Sequence, residues 1–376
     1  VHVWQQNAWE QKRAALESCE KELQGDPERC VGSWIDVWLH ERGMSAALDE
    51  LARRYDRDPS FGLTCHSLTH TLGKAAHELF VRGKKFDVTA KTAYCSYGFY
   101  HGFMEQLAAR GGDMKLAREF CAYVDSKIAK DAPDANLQCY HGIGHGTVNN
   151  HNPQTWGNEE AMIAPALDLC HKAATTELEL SRCATGVFNG IATFYQNGEY
   201  NLRARVDDPL WICRLYEPLF EDACYMSLNI TLLDVAGNNI VKAAGFVEAI
   251  ENDRFAQHAM INLAAPLGAK RVEAADHSDI LAACRRLQQR LRIACIQGYA
   301  YGFLEHGKPG VEYEKPIAFC GSEYLTGEEQ NGCFEYIFSY FRQWYSQSKA
   351  QAICGSLPQM QLQQMCRRLS STQENP

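Results

Sequence analysis

Segments that begin and end with cysteine recur along this chain, and they constrain its fold more than any other feature. Clear copies start at Cys95, Cys183 and Cys295, and each opens Cys-x-x-Gly with a second glycine four residues after the first. An apolar and aromatic run comes next, then a loop containing glycine, then a second amphipathic stretch that ends in cysteine. Units of this kind at intervals of roughly 30 to 45 residues are typical of helical-hairpin repeats.

Four pairs of glycines lie inside the stretches that we expect to be helical. The pairs are Gly98 and Gly102, Gly142 and Gly146, Gly186 and Gly190, and Gly298 and Gly302. The spacing of four puts both glycines on one helix face, although each costs about 1 kcal/mol relative to alanine inside a helix. Because this cost recurs, it needs a compensating gain, and we expect neighbouring helices to approach closely at these positions.

These features predict an all-α protein, an α/α solenoid of helical hairpins braced by multiple disulfides. We expect a single elongated helical-repeat domain over residues 1–376. The long stretch between Cys224 and Cys284 has no cysteine, which indicates a break or an insertion near 235–283.

The 16 cysteines predict a disulfide framework. The sequence has no Cys-x-x-Cys motif, so zinc ribbons, thioredoxin-type redox sites and covalently bound haem are not indicated. Disulfides persist in oxidising compartments, so we expect a periplasmic or secreted protein whose signal peptide is already absent. The alternative is a cytosolic protein whose buried cysteines stay reduced.

The spacing of the cysteines leaves their connectivity open, since Cys121 can face either Cys95 or Cys139. We expect the shorter pairs, which join one hairpin to the next. These pairs are Cys19–Cys30, Cys121–Cys139, Cys170–Cys183, Cys213–Cys224, Cys284–Cys295, Cys320–Cys333 and Cys354–Cys366, and they leave Cys65 and Cys95.

The charge of the chain excludes two classes of partner. The net charge is -9 and no run of lysine and arginine stands out, so we expect neither a nucleic acid nor an anionic membrane as partner. No apolar run approaches the ~18 to 20 residues of a membrane span. We therefore expect no membrane span.

Residues 295–320 carry a likeness to a known repeat family. They contain Gly-x-x-Tyr from Gly298, Gly-x-x-Gly-Val from Gly307 and Tyr-x-Lys-x-x-x-Phe from Tyr313. In these elements the segment resembles a Sel-like repeat, a relative of the tetratricopeptide repeats. The resemblance implies a tetratricopeptide/Sel-like superhelix that binds a protein or peptide on its concave face.

Histidines cluster in one part of the chain. On a helix, His66, His70 and His77 fall within about 40° of one another, and His141 and His145 form a pair four residues apart. Equivalent helices of stacked hairpins lie side by side, so we expect these rings to converge with His101 and Glu105. The predicted ligands of a mono- or dinuclear metal site are His66, His70, His77, His101, Glu105, His141 and His145. Imidazole suits iron, copper and zinc alike, so the identity of the metal stays open.

Each of these residues also has a structural interpretation. A histidine beside a glycine on an apolar helix face is commonly a buried hydrogen-bonding group. Glu305 follows Cys295 by the same offset as Glu105 follows Cys95, which favours a structural use for both glutamates. Nearby polar or redox candidates are Tyr97, Tyr100, Tyr140 and Asn149.

Three functions compete at this point. The first is a metal-dependent oxidoreductase, the second a protein- or peptide-binding scaffold without catalysis, and the third a metal storage or delivery protein. The sequence has no phosphate-binding loop, no Gly-x-Ser-x-Gly elbow and no His-Glu-x-x-His motif, so the corresponding enzyme classes are not indicated.

Overall fold

The computed structural model describes residues 27–57, 61, 65–84, 86–148, 152–308 and 310–371. In these residues the protein forms 17 α-helices and no strand, which confirms the all-α prediction. The helices are α1 Pro27–Arg57, α2 His66–Val81, α3 Gly98–Ala109, α4 Met114–Ile128, α5 Ala135–Val148, α6 Glu159–Ala173, α7 Glu177–Asn197, α8 Pro218–Ser227, α9 Asn229–Val235, α10 Ile240–Glu248, α11 Asp253–Ala269, α12 Ser278–Arg285, α13 Gln289–Glu305, α14 Glu314–Cys320, α15 Gly327–Trp344, α16 Gln347–Ser356 and α17 Met360–Ser371. Short 3₁₀ helices span Ala90–Ala93, Pro153–Thr155, Glu199–Asn201 and Cys213–Leu215.

One series of helices packs side by side through the molecule. It runs α2, α3, α5, α7, α8, α11, α13 and α15, and each helix contacts the next. The helices between them in sequence pack against this series; α4, for example, contacts both α5 and α6. A superhelical solenoid stays a prediction, whereas the side-by-side packing of successive helices is observed.

The close helix contacts predicted from the glycine pairs are confirmed. A Cβ atom on Gly102 would lie 2.0 Å from the carbonyl oxygen of His70, and one on Gly186 would lie 1.9 Å from that of His141. On Gly142, a Cβ atom would lie 2.8 Å from the carbonyl oxygen of Tyr100. The other five glycines of the four pairs would each meet an atom at 2.1 to 2.5 Å. Backbone therefore packs on backbone at seven of these eight glycines, whereas Gly190 packs against the Val148 side chain.

The same contacts fix the direction of the helices. His66 and His70 of α2 lie against Gly98 and Gly102 of α3 in rising order, so the two helices run parallel. The contacts of α3 with α5 and of α5 with α7 rise in the same way. The first turns of all four helices therefore lie at the same end of the packed series.

Helix α7 has strong start and stop signals. Its capping box begins at Thr176, whose hydroxyl accepts from the backbone N–H of Glu179, while the Glu179 carboxylate accepts from the N–H of Thr176. The helix ends at Gly198, which has the left-handed conformation that favours glycine (φ 67°). These signals determine where α7, the long helix that packs against α5, begins and ends.

Seven disulfides brace the described part of the chain. They are Cys65–Cys95, Cys121–Cys139, Cys170–Cys183, Cys213–Cys224, Cys284–Cys295, Cys320–Cys333 and Cys354–Cys366. The preference for the shorter pairs is confirmed for six of them, and the two cysteines left over form the seventh. The predicted pair Cys19–Cys30 lies outside the described side chains.

The C-terminal helices return to the N-terminal ones. The backbone N–H of Asp134 donates to the carbonyl oxygen of Gln343 in α15 at 3.0 Å. The side chain of Gln343 also accepts from Arg182 of α7 at 3.4 Å. A cavity of about 580 Å³, partly open to solvent and named here the interior cavity, lies among helices α2, α3, α5, α7, α8, α9, α11 and α13.

The cysteine-free stretch near 235–283 is helical in large part, and its helix α11 packs against both α8 and α13. Helix packing thus continues through this stretch. A single elongated domain over 1–376 stays a prediction. None of the described helices combines the length and the apolar character that a membrane crossing demands.

We predict opposite effects for two glycine-to-alanine substitutions. Gly298→Ala puts a Cβ atom 2.1 Å from the carbonyl oxygen of Ile261, and overpacking of this kind costs about 1 to 3 kcal/mol. Gly245→Ala, in α10, meets no described atom within 4 Å and should stabilise the helix by about 0.5 to 1 kcal/mol. Thermal unfolding followed by circular dichroism measures both. Equal unfolding temperatures for the two variants would contradict the close-contact account.

Candidate metal centre

Five histidine rings from three parallel helices converge at one place. His66 and His70 come from α2, His101 from α3, and His141 and His145 from α5. Ring centroids lie 4.9 Å apart for His66 and His70, 5.0 Å for His66 and His101, and 4.4 Å for His101 and His145. The prediction that these rings become neighbours through side-by-side helices is confirmed. We call the set the five-histidine centre.

The centre consists of two triads that share His101. One triad is His66, His70 and His101, and the other is His101, His141 and His145. Within each triad one nitrogen from every ring lies within 4.8 Å of the others. Three imidazole nitrogens at this separation are a geometry that can hold a metal ion.

The hydrogen bonds of His66 and His70 fix which nitrogens are unprotonated. His66 Nδ1 lies 2.9 Å from the carbonyl oxygen of Cys95, an acceptor, so this nitrogen carries the proton. His70 Nδ1 lies 3.1 Å from a carboxylate oxygen of Glu105 and carries its proton for the same reason. In the neutral rings both Nε2 atoms are then lone-pair acceptors, although they face each other at 3.1 Å.

Two facing lone pairs repel unless a cation lies between them. Two nitrogens that bind one ion at about 2.0 to 2.1 Å lie roughly 3 to 3.4 Å apart. The separation of His66 Nε2 and His70 Nε2 fits this range, and so does the 3.2 Å between His66 Nε2 and His101 Nδ1. Two of the three nitrogen pairs of the first triad therefore have the spacing of ligands around one ion, and the third pair lies within 4.8 Å.

Helix α7 orients the two histidines of α5. The Thr185 hydroxyl donates to the carbonyl oxygen of Arg182, so it accepts from His141 Nδ1 at 2.8 Å. His145 Nε2 donates to the side-chain oxygen of Asn189 at 2.7 Å. Each ring thus keeps one unprotonated nitrogen, Nε2 in His141 and Nδ1 in His145. Partners of this kind usually hold metal-binding histidines in one tautomer and orientation.

His101 occupies the middle of the centre and is 5 % exposed. Its Nδ1 faces His66, while its Nε2 is buried and has no hydrogen-bond partner among the described residues. Leaving a buried polar atom unpaired costs about 1 to 3 kcal/mol. A metal ion at the second triad would satisfy this nitrogen.

Four of the five rings, those of His66, His101, His141 and His145, are uncharged at neutral pH. Burial, together with the nearby His70, lowers the pKa of both His66 and His145 to about 4. Burial and the neighbouring His145 lower the pKa of His101 and of His141 well below the usual range. Metal ions bind the neutral form of histidine, so each of these four rings can offer one nitrogen to a metal ion without first losing a proton.

Glu105 lies outside both triads and contacts the Nδ1 atom of His70. Its second carboxylate oxygen lies 3.1 Å from Lys74 Nζ. Burial alone would raise the pKa of Glu105, but the hydrogen bond to His70 and the charge of Lys74 lower it to about 2. The carboxylate, predicted as a ligand, thus has the position of a partner that orients a ligand.

A left-handed turn connects the centre to the first disulfide. Cys95, Ser96 and Tyr97 have φ values of 59°, 51° and 61°, and each such residue costs about 1 to 2 kcal/mol. The turn is held by the Cys65–Cys95 bond and by the contact of His66 with the Cys95 carbonyl oxygen. It also brings Tyr97 to the wall of the interior cavity.

The centre opens into the interior cavity. His66, His101 and His141 all line this space of about 580 Å³, which lies within the size range of small-molecule sites. A molecule in the cavity can therefore touch the rings directly.

Three other predicted residues lie apart from the triads. His77 is buried, and its ring packs edge-on against Phe103 at 5.2 Å. The Tyr100 hydroxyl is 3.0 Å from the hydroxyl of Thr92 in the core. Burial raises the pKa of Tyr140 to about 12, with a further contribution from Glu179. Asn149 lies outside the described residues.

The orienting residues of α7 were missed from the sequence, although the repeat carries a signal for them. Thr185 and Asn189 follow Cys183 by the same offsets as His141 and His145 follow Cys139. Polar residues thus replace histidines at equivalent positions of the next repeat. Aligning the repeats position by position would have indicated them.

Comparison with protein-family models, with curated proteins and with solved structures gives no match for this chain. Its function is therefore argued from the site itself.

We predict that the metal-free protein loses stability in mild acid. Because the pKa of His66 and of His145 is about 4 in the folded protein and about 6.5 in an unfolded chain, the unfolded chain binds more protons between these values. The contribution of these rings is complete above pH about 6.5 and falls as the pH falls towards 4. Urea unfolding of chelator-treated protein at several pH values measures it. A flat free energy of unfolding from pH 7 to 5 would contradict the buried, neutral rings.

Proposed function

We propose that the protein binds two transition-metal ions at the five-histidine centre, one at each triad. The observation that carries this proposal is the 3.1 Å approach of His66 Nε2 to His70 Nε2, two lone-pair atoms that need a cation between them. Burial disfavours a proton on His66. A proton on His70 Nε2, beside the Glu105 carboxylate, is the competing cation, and the metal content of the purified protein distinguishes the two.

The shared ring supports two ions rather than one. His101 presents Nδ1 to the first triad, and its partnerless Nε2 is free for the second. Binding through both nitrogens requires His101 to lose its one ring proton to solvent as the second ion binds, because a neutral imidazole has a single lone-pair nitrogen. The resulting imidazolate links the two ions and couples their charge. The ligands of the second ion would be His101 Nε2, His141 Nε2 and His145 Nδ1.

Three nitrogen ligands leave coordination positions open, as in catalytic metal sites. The open positions would face the interior cavity, which the rings line. Iron or copper at such a centre supplies redox chemistry with oxygen or an organic substrate. We therefore propose a metal-dependent oxidoreductase. Reduction and reoxidation of the loaded protein without loss of metal distinguishes this function from metal storage or delivery.

Seven disulfides favour an oxidising compartment for this chemistry. We propose the periplasm or the cell exterior as the location.

Single histidine substitutions should change the metal content in steps. We expect about two ions per chain in the wild type, because each triad supplies three nitrogens. His70→Ala and His145→Ala each remove one triad and should each leave about one ion, whereas His101→Ala removes a ligand from both and should leave almost none. Elemental analysis of protein purified without a histidine tag measures the content.

The matched control is His171→Ala, which changes an exposed histidine at the end of α6. It should keep the wild-type metal content. If His70→Ala, His101→Ala and His145→Ala all retain wild-type metal content and thermal stability, the rings have a structural role and the proposal is wrong.

A further inference from the structure

Arg182 is a poorly paired cation inside the helix assembly. Its side chain is 24 % exposed, and Nη2 lies 3.8 Å from Asp134 Oδ1, which is too far for a hydrogen bond. Its side-chain hydrogen bond is a long one of 3.4 Å to Gln343. A guanidinium has five N–H donors, so most of them have no acceptor in the described part of the protein.

Asp134, the nearest carboxylate, forms no hydrogen bond with Arg182. Its Oδ2 accepts from Gln138 at 2.6 Å, while its buried Oδ1 has no hydrogen-bond partner among the described residues. A buried ion pair that lacks hydrogen bonds recovers little of its desolvation cost. The arrangement is therefore better suited to receiving a further anion than to stabilising the fold.

Arg182 lies where two cavities meet. It lines the interior cavity and a neighbouring cavity of about 370 Å³ on its other side. Asn262 and Thr185 line both spaces as well. The guanidinium therefore faces space large enough for a small organic molecule.

Neutral hydroxyl donors accompany the cation. Tyr97 and Tyr301 line the interior cavity together with Arg182. Burial raises the pKa of both phenols well above the usual range, so both keep their protons. Protonated phenols near a guanidinium can donate hydrogen bonds to an oxyanion.

The position of Arg182 is tied to the five-histidine centre. Its carbonyl oxygen accepts from the Thr185 hydroxyl, which in turn accepts from His141 Nδ1. His141 and His66 line the same interior cavity as Arg182. A molecule anchored on Arg182 can therefore reach the metal-binding rings through the same cavity.

We propose that Arg182 anchors the carboxylate of a small organic substrate in the interior cavity, so that the rest of the molecule lies against the five-histidine centre. A carboxylate matches the planar fork of a guanidinium through two parallel hydrogen bonds. A phosphate monoester carries more negative charge and would meet stronger repulsion from Asp134. Binding at Arg182 stands without the metal, while its use as a substrate site depends on the proposed function.

The test is calorimetric titration of benzoate into chelator-treated protein. Arg182→Met should weaken benzoate binding by about tenfold or more, because a hydrogen-bonded charge partner is lost. Asp134→Asn should strengthen it, because the nearby carboxylate that repels the ligand is gone. Lys270→Met, which removes an exposed cation from the same cavity wall, should change it less than about twofold.

Two further ligands test which head group Arg182 binds. Phenyl phosphate and benzyl alcohol have the same ring with a different head group, and both should bind more weakly than benzoate. Tighter binding of phenyl phosphate would overturn the choice of carboxylate. Absence of benzoate binding, or an equal loss in Lys270→Met, would overturn the anchor itself.

Stability and metal binding are followed in parallel. The double variant Arg182→Met/Asp134→Asn removes both charges, so it leaves no unpaired charge inside the protein, and it should also fail to bind benzoate while remaining folded. If the wild-type protein binds metal but does not bind benzoate, this inference alone is wrong. If the wild-type protein binds benzoate but does not bind metal, the proposed function alone is wrong.

Discussion

Backbone contact between parallel helices is the constraint on which the rest of this structure depends. At Gly102, Gly142 and Gly186, a helix approaches its neighbour so closely that a methyl group would collide with a carbonyl oxygen. The approach is possible because glycine lacks a side chain, and it puts the first turns of α2 and α3 beside the second turn of α5, which in turn lies against the third turn of α7. Histidines that are far apart in sequence become neighbours as a consequence, and the Cys65–Cys95 disulfide ties the starts of α2 and α3 together.

Hydrogen bonds around the rings then decide what the centre can bind. Each of four rings donates a hydrogen bond to a neighbouring oxygen atom. The acceptors are the Cys95 carbonyl, the Glu105 carboxylate, the Thr185 hydroxyl and the Asn189 side-chain carbonyl. In the neutral rings this leaves His66 Nε2 and His70 Nε2 unprotonated and facing each other at 3.1 Å, which is unfavourable without a cation. A structural role for the rings predicts donors paired with acceptors throughout, whereas the approach of His66 Nε2 to His70 Nε2 favours a metal centre.

Much of the fold and part of the centre could be predicted from the sequence. The regular cysteine spacing predicted the short disulfides, and the i, i+4 spacing predicted which histidines share a helix face. Both could be predicted because they depend on local periodicity. The contact of α15 with Asp134 could not be predicted, since it joins residues far apart in the chain. The role of Glu105 depends on a side-chain rotamer, and that of the Cys95 carbonyl on a left-handed turn of non-glycine residues. Neither leaves a sequence pattern.

The most direct test of a shared two-ion centre is anomalous diffraction from crystals of zinc-loaded protein. The account predicts two peaks, one on each side of the His101 ring, the first beside His66 and His70 and the second beside His141 and His145. A map without peaks among these five rings, or with zinc bound elsewhere in the protein, would contradict it.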